Sequence, residues 1–403
     1  MGTNAYYHAF DHRRANHAPL SPLSFLERAA KEYPDQISII YGATRYMWAQ
    51  TYVRCRRLAS ALTKRGVRAG DTVATLLPNT PAMFEAHFGV PMAGAVLNTL
   101  NTRLGAEAIA FMLEHGEARV LLCDPEFSAT ASRALGLMRH RRPIVINVED
   151  THYQRGLRIG ELDYERFLSE GDPQMEWSLP SDEGNPIALN YASSADGSSR
   201  GVLTHHRGAY LSAVSNVLAW SMQQHPIYLW TLPMFHCNGW CFPWTMALQA
   251  GTNVCLRRLD PCAIFAAIRK HRVTHMCGAP VVYDMLVNAP ASLREGIAHS
   301  IQGQIAGATP PGAIIEGCER IGIELTRVSD LAEVYGPAAV CARQRDWARL
   351  SIENQARLNA RQSVASSMLP APAMPVVPPV LPEPVWAESQ TIAEVLFREV
   401  MFD

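Results

Sequence analysis

The chain alternates short apolar runs with longer amphipathic stretches over most of its length. The apolar runs predict strands, and they cover residues 71–77, 119–123, 143–148, 186–192, 227–232, 273–277, 302–306 and 325–328. The amphipathic stretches predict helices over residues 24–33, 52–65, 81–95, 205–223, 261–271 and 311–321. Strands that alternate with helices form mainly parallel sheets covered by helices. We therefore predict an α/β fold with two layered α/β subdomains.

Length and composition set the number of folding units. The chain has 403 residues, 48% of them hydrophobic, and a domain holds about 150 residues, so two or three units are expected. We predict an N-terminal arm, a first and a second α/β subdomain, and a C-terminal segment, with bounds 1–19, 20–185, 186–345 and 346–403. The last segment has seven prolines from Leu369 to Val385, which favours extended, loosely packed chain.

The net charge of −1 argues against two classes of partner. Nucleic acid and anionic membrane surfaces bind proteins with a basic excess, which this chain lacks.

No apolar run reaches the ~18 residues of a transmembrane segment, and residues 1–17 lack the apolar core of a signal peptide. The nine cysteines are scattered, which predicts reduced thiols. We therefore expect a cytoplasmic protein.

Residues 191–201 form a loop rich in serine and glycine between a predicted strand and a predicted helix. Small residues let a ligand approach the backbone, and hydroxyl and N–H groups at a helix start bind phosphate oxygens. The candidate phosphate contacts are Ser193, Ser194, Gly197, Arg200 and Gly201. A structural connector without a ligand is the alternative, and connectors of this kind are more frequent than phosphate loops.

Further motifs follow the loop in a fixed order. Including two early segments, they cover residues 76–79, 96–101, 191–210, 232–240, 277–280, 306–311 and 333–337. As an ordered set they resemble the adenylate-forming superfamily of acyl-CoA synthetases, luciferases and peptide-synthetase adenylation domains. The nearest resemblance is to medium-chain and short-chain fatty acyl-CoA ligases, over about residues 20–350.

The resemblance implies a reaction and its ligands. Members of the superfamily use ATP and Mg²⁺ to join a small-molecule carboxylic acid to AMP, release pyrophosphate, and transfer the acyl group to coenzyme A. By analogy, the nucleotide site includes, besides the loop residues, Gly307, Ala308 and Glu333, the last as Mg²⁺ ligand. The acyl pocket is lined, by the same analogy, by His236, Asn238, Gly239, Trp240 and Gly278.

The residues themselves leave two other interpretations of His236. A buried histidine beside the core residue Trp240 can simply be hydrogen-bonded there. With Cys237 and Cys241 it suggests a metal site, but zinc needs a second ligand pair at matching spacing, which the sequence does not offer. Descent from an acyl pocket is the favoured interpretation.

The chain departs from the superfamily pattern where phosphate is bound. The loop pattern Tyr-Thr-Ser-Gly-Thr-Thr-Gly-x-Pro-Lys-Gly has Ala195 and Asp196 at its paired threonines and Arg200 at its lysine. Like charges ~4 Å apart repel by about 4 kcal/mol at an effective dielectric constant of ~20, so the carboxylate of Asp196 opposes pyrophosphate. The later pattern Tyr-Gly-x-Thr-Glu reads here Ser-Asp-Leu-Ala-Glu over residues 329–333. We expect binding of ATP and AMP to be weakened.

Members of the superfamily continue into a ribose-binding Asp, a hinge and a mobile C-terminal domain with a catalytic Lys, and residues up to 403 contain none of these. We expect this family domain to be absent, a remnant β subdomain to remain, and no catalytic residue to be assignable. A separate partner domain or a homo-oligomer would then supply the missing part. Three functions stay open: a ligase with residual or partner-assisted adenylation, a non-catalytic acyl- or nucleotide-binding pseudoenzyme, and a truncated, decaying gene product.

Overall fold

The computed structural model describes residues 17–193, 199–306, 312–332, 335–341, 344–359, 364–365 and 376–377. The helices in these residues are α1 Leu23–Glu32, α2 Trp48–Lys64, α3 Pro81–Met92, α4 Ala106–His115, α5 Ser128–Leu137, α6 Tyr164–Ser169, α7 His206–Ala219, α8 Cys237–Trp240, α9 Phe242–Leu248, α10 Pro261–His271, α11 Pro280–Val287, α12 Ala291–Arg294, α13 Gly312–Arg320 and α14 Ile352–Asn359. The strands are β1 Ile37–Tyr41, β2 Thr44–Met47, β3 Thr72–Leu76, β4 Val96–Thr99, β5 Ala118–Cys123, β6 Ile144–Asn147, β7 Leu162–Asp163, β8 Pro186–Ser193, β9 Ser199–His205, β10 Ile227–Trp230, β11 Thr252–Cys255, β12 His275–Gly278, β13 Ile301–Ile305, β14 Ile323–Leu331, β15 Gly336–Val340, β16 Val364–Ala365 and β17 Val376–Val377.

The strands form two mainly parallel sheets, which confirms the predicted α/β class. Within the described residues, one sheet has the order β17-β9-β8-β4-β3-β5-β6-β7 and the other the order β16-β15-β14-β13-β12-β10-β11-β1-β2. The central strand pairs of both sheets are parallel. Antiparallel strands lie toward the edges, namely β9 and β17 in the first sheet and β2, β15 and β16 in the second.

Helices cover the sheets, and the central strands are therefore buried on both faces. Every residue of β3 and of β12 is buried, as expected for parallel strands packed on both faces. The helix predicted over residues 81–95 corresponds to α3, which is buried along nearly all of its length. Among the described residues, no helix combines the length and the apolar character needed to cross a membrane.

The two sheets exchange strands from distant parts of the chain. β1, from the first α/β segment, pairs with β11 in the nine-stranded sheet, and β8, which follows residue 185, pairs with β4 in the eight-stranded sheet. Parallel pairing joins strands that lie far apart in sequence, so strand order does not follow chain order. The division of the chain at residue 185, the separate N-terminal arm and the remnant β subdomain stay predictions.

One buried side chain ties the two sheets together at the carboxyl ends of their strands. Asn79 follows β3 of the eight-stranded sheet and is 8% exposed. Its Nδ2 donates to the carbonyl oxygens of Trp230 and Leu232, each at 3.0 Å. Its Oδ1 accepts from the backbone N–H of Met234 at 2.8 Å. Since Trp230 ends β10 of the nine-stranded sheet, the amide fixes how the chain leaves both sheets.

We expect Asn79→Ala to lower the free energy of unfolding by about 3 kcal/mol or more. Each buried polar group left without a partner costs about 1–3 kcal/mol, and this change leaves two carbonyl oxygens and one N–H group without partners. Denaturant titration measures the loss. The exposed Asn288 on the end of α11 provides the control, since Asn288→Ala should cost less than about 1 kcal/mol. Equal effects of the two changes would show that other contacts hold the strand ends.

Three buried histidines make stability depend on pH. His87 bonds through Nδ1 to the Met83 carbonyl at 2.8 Å, His206 bonds through Nδ1 to the Ser21 hydroxyl at 2.8 Å, and His275 packs edge-on against an indole ring. Burial lowers the pKa of each imidazole from 6.5 to about 4. Between these values the unfolded chain binds protons that the folded chain does not, so stability falls as the pH falls through this window.

We expect His87→Gln to make that loss of stability shallower. The variant cannot take up a proton in the unfolded state, so it removes up to about 1.4 kcal/mol per pH unit from the slope. Unfolding free energies measured by denaturant titration at several pH values between 6.5 and 4 give the two slopes. His140 is exposed, and His140→Gln should leave the slope unchanged. A slope for His87→Gln equal to that of the original chain would contradict the assignment.

Candidate functional site

The candidate site residues within the described part of the chain follow the carboxyl ends of neighbouring strands. β10, β12, β13 and β14 are adjacent and parallel, so the segments that leave them meet at one edge of the nine-stranded sheet. Gly278 ends β12, and its neighbour in register is Ile305 at the end of β13. The segment from Thr231 to Cys241 follows β10 and carries the predicted acyl-pocket motif.

The serine- and glycine-rich loop has a different setting from the one predicted. It lies between two antiparallel strands, β8 and β9, with Ser193 paired to Ser199, and not between a strand and a helix. Residues 199–205 are extended because Val202 and Thr204 are buried against the sheet. Helix α7 begins at His206, and its first turn is capped by His205, whose Nδ1 accepts from the N–H of Gly208 at 2.6 Å. The predicted setting of this loop, directly before a helix, is therefore wrong, whereas its binding of phosphate stays a prediction.

Five of the eight predicted nucleotide-site residues belong to segments outside the described part of the chain. Ser194, Gly197, Gly307, Ala308 and Glu333 lie outside the described residues, as does the side chain of Ser193. Arg200 and Gly201 lie in β9, and Arg200 is exposed. The nucleotide contacts and the Mg²⁺ ligand therefore stay predictions.

The acyl-pocket motif forms a left-handed turn. The φ angles of residues 237–241 are 40°, 43°, 56°, 54° and 65° in order. All but Gly239 are non-glycine residues, for which this region is costly by about 1–2 kcal/mol per residue. A Cβ atom on Gly239 would lie 2.8 Å from the ring of Trp230, so a side chain has no room there. Consecutive strained residues of this kind cluster at functional sites.

Hydrogen bonds from three directions hold the turn in this conformation. Asn190 of β8 donates from Nδ2 to Oδ1 of Asn238 at 2.5 Å, and Asn216 of α7 donates to the carbonyl oxygen of Trp240 at 2.9 Å. The thiol of Cys241 donates to the carbonyl oxygen of Tyr335 at 3.3 Å. Burial raises the pKa of the Cys241 thiol, so this sulfur is a neutral donor rather than a thiolate.

The turn presents two side chains to one carboxylate. Oδ2 of Asp330, on β14, accepts from Nε1 of Trp240 at 3.0 Å and lies 3.2 Å from Nε2 of His236. The Trp240 ring is buried, whereas the His236 side chain is 49% exposed and that of Asp330 is 15% exposed. The sequence prediction missed Asp330 as a site residue. The available signal was a carboxylate at a position where the superfamily pattern has glycine.

The turn and the residues just before it also contact the ends of β4 and β8, of which β8 leads into the predicted nucleotide loop. Thr99, at the end of β4, donates to the carbonyl oxygen of Phe235 at 3.0 Å, and Asn190 lies three residues before the end of β8. Among the described residues, Nδ2 of the buried Asn238 has no hydrogen-bond partner. A buried amide donor without a partner is costly, and at this place it suits an oxygen atom of a ligand.

The chain matches a family model and a set of curated relatives. The family model is that of the AMP-binding enzymes, and it matches residues 26–358. Peroxisomal acetate/butyrate–CoA ligase AAE7 of Arabidopsis thaliana is 45% identical over 396 residues, which cover 95% of this chain and 69% of that protein. Acetate–CoA ligase CCL3 of Humulus lupulus is 42% identical over 398 residues, with coverages of 95% and 69%.

Solved structures share the fold. The N-terminal domain of FACL13 from Mycobacterium tuberculosis superposes with a TM-score of 0.72 at 20% identity, covering 85% of this chain and 82% of that one. O-succinylbenzoate Coenzyme A Synthetase (MenE) from Bacillus subtilis, in complex with AMP, superposes with a TM-score of 0.65 at 22% identity, with coverages of 81% and 78%. The predicted resemblance to the adenylate-forming superfamily is confirmed: this chain belongs to the family of AMP-binding enzymes.

Proposed function

We propose that the chain is the N-terminal, acid- and nucleotide-binding part of an AMP-forming carboxylic acid–CoA ligase, with weakened use of ATP. The observation that carries this proposal is the hydrogen bond between Asn190 and Asn238. It joins the strand that leads into the nucleotide loop to the turn that carries the acyl-pocket motif. Joining an acid to a phosphate requires both ligands in one place, and this contact brings the two segments together.

A short-chain acid is the proposed substrate class. The relatives named above are ligases for acetate and butyrate, and a 2-methylpropanoate–CoA ligase of Humulus lupulus is 40% identical over 392 residues. The His236 imidazole and the Asn238 amide are the polar groups that would meet the acid and its adenylate. Buried Trp240 would close the pocket wall beside them. Catalysis by such a site rests on positioning and on the electrostatic stabilisation of the phosphate charge.

The nucleotide site would need help from a cation. ATP binds as a complex with Mg²⁺, and Glu333 is the proposed ligand of this metal. The metal would screen the negative charge of the α-phosphate when the acid approaches it. Asp196 opposes that arrangement by adding a negative charge to the loop. The acceptor for the acyl group would be coenzyme A. A separate partner domain or a second copy of the chain is proposed to complete the transfer.

A non-catalytic acyl-binding pseudoenzyme is the second candidate. It is favoured by the sequence changes at residues 195–196 and at 329–332, which fall in two different nucleotide motifs. The two candidates differ in turnover. A ligase releases pyrophosphate when acid, ATP and Mg²⁺ are present together, whereas an acyl-binding protein binds without releasing it.

We expect the purified chain to bind a non-hydrolysable butyryl-adenylate mimic at micromolar strength and ATP·Mg²⁺ more weakly by a factor of about ten or more. The reason is that the mimic would contact the left-handed turn of residues 237–241, here called the acyl turn, and would not extend into the pyrophosphate region near Asp196. Isothermal titration calorimetry measures both affinities. His236→Ala should weaken binding of the mimic about tenfold, which equals about 1.4 kcal/mol, while the exposed His140→Ala should not. A cooperatively folded chain that binds neither ligand would overturn the proposal.

We expect the double change Asp196→Thr with Ser194→Gly to strengthen ATP·Mg²⁺ binding by a factor of about ten or more. It removes a like charge whose repulsion is worth up to about 4 kcal/mol and restores a phosphate-binding hydroxyl. The same titration tests it. The matched control is Asp35→Thr, which removes an exposed carboxylate on the surface and should leave the affinity unchanged. An unchanged affinity in the double variant would place the weakness elsewhere in the site.

A further inference from the structure

The acyl turn already holds a carboxylate of its own. Oδ2 of Asp330 accepts a hydrogen bond from the indole N–H of Trp240 at 3.0 Å, and the same oxygen lies 3.2 Å from Nε2 of His236. These are the two polar ring groups that the turn presents at this place. A carboxylic acid that entered the pocket would bring a second carboxylate toward the same two groups.

The contact is not needed to hold the strands around it. The hairpin of β14 and β15 is anchored to the turn and to α9 by other bonds, from Cys241 to the Tyr335 carbonyl at 3.3 Å and from Nε1 of Trp244 to the Tyr335 hydroxyl at 3.1 Å. The pairing of β14 with β15 shifts register between Ser329 and Asp330. The extra residue of this irregularity lies on β15, between Pro337 and Ala339, opposite the Ser329–Asp330 step, and irregularities of this kind are frequent next to ligand sites.

The strength of the contact also argues against a purely structural role. The His236 side chain is about half exposed, and a side-chain contact at such a position contributes about 0–1 kcal/mol even where both groups are charged, because water screens it. A ligand that supplies its own partner for the imidazole therefore loses little by displacing Asp330 from it. The charge of the Asp330 carboxylate, however, stays beside whatever replaces it.

We propose that Asp330 is an internal carboxylate that occupies the anion-binding position of the acyl pocket and so sets the charge of the ligand that this pocket accepts. With Asp330 in place, the pocket binds a short-chain carboxylate more weakly than a neutral or cationic group of the same size, so the proposed acid substrate meets a weakened site here, as ATP does at Asp196. The inference rests on the proposed function, because it takes the 236–240 segment as the acyl pocket.

The test compares three ligands of equal chain length and different charge: butyrate, butyramide and n-butylamine. Each is titrated without nucleotide into the original chain and into Asp330→Asn, Asp330→Gly and Asp35→Asn. Asparagine keeps the size of the side chain and an acceptor for Trp240 while it removes the charge, so this variant is expected to fold. Asp35→Asn removes one exposed charge far along the chain from the turn. The imidazole signals of His236 in NMR spectra report binding at this site.

We expect the original chain and Asp35→Asn to bind butyrate more weakly than butyramide or butylamine. In Asp330→Asn and Asp330→Gly, butyrate should bind at least about ten times more tightly than in the original chain, a change of about 1.4 kcal/mol, and butylamine should lose its advantage. The His236 signals should move on addition of butyrate to these two variants.

Butyrate affinities that are equal in the original chain and in both Asp330 variants would overturn the inference, and so would the absence of butyrate binding in all of them. The proposed function is judged separately by the adenylate mimic. A mimic that binds while the Asp330 changes have no effect removes the inference alone. If the Asp330 changes alter the relative affinities for the three ligands while no variant binds the mimic, the proposed function alone is overturned.

Discussion

The three hydrogen bonds of Asn79 fix the geometry on which the candidate site depends. One primary amide offers two donors and one acceptor in a plane, and here all three are used on the backbone that leaves β10. The residue itself follows β3 of the other sheet. The carboxyl ends of the two sheets are thereby held together, and the segments that carry the predicted acyl-pocket motif and the predicted nucleotide loop leave from these ends. A site between two sheets needs such a buried clamp, since loops alone do not fix a distance.

The left-handed turn at residues 237–241 is the part of the molecule where local preference is overruled. Even a single L-residue is disfavoured in the left-handed region, and here five consecutive residues have φ angles in it. The surrounding bonds to Asn238, Trp240 and Cys241 are what hold the chain there. As a result, the His236 and Trp240 rings are both directed toward one oxygen of Asp330.

Local signals in the sequence predicted much of the fold. Asp260 stands directly before the helix predicted over residues 261–271, where an aspartate favours an N-cap, and its Oδ1 accepts from the N–H of Ala263 at 2.9 Å. Apolar runs such as those of β5 and β12 predicted their strands because burial on both faces demands such runs. Pairing was different. No local pattern identifies the partner of a strand, so neither the pairing of β1 with β11 nor that of β8 with β9 around the serine- and glycine-rich loop was predictable.

The same limit applies to the site. The motif at 236–240 was recognisable, but its contact with Asp330 joins residues 94 positions apart, and the sequence pattern treated Asp330 only as a lost glycine. Glycine and aspartate differ in this pocket by a whole charge as well as by volume. Asp196 in the nucleotide loop also stands at a position where the superfamily pattern has a neutral residue. Both departures add negative charge where the superfamily binds anions, while the apolar strands and the Asn79 clamp that build the scaffold are kept. We therefore expect the two departures to change the charge of the ligand that is bound and not the fold that would bind it.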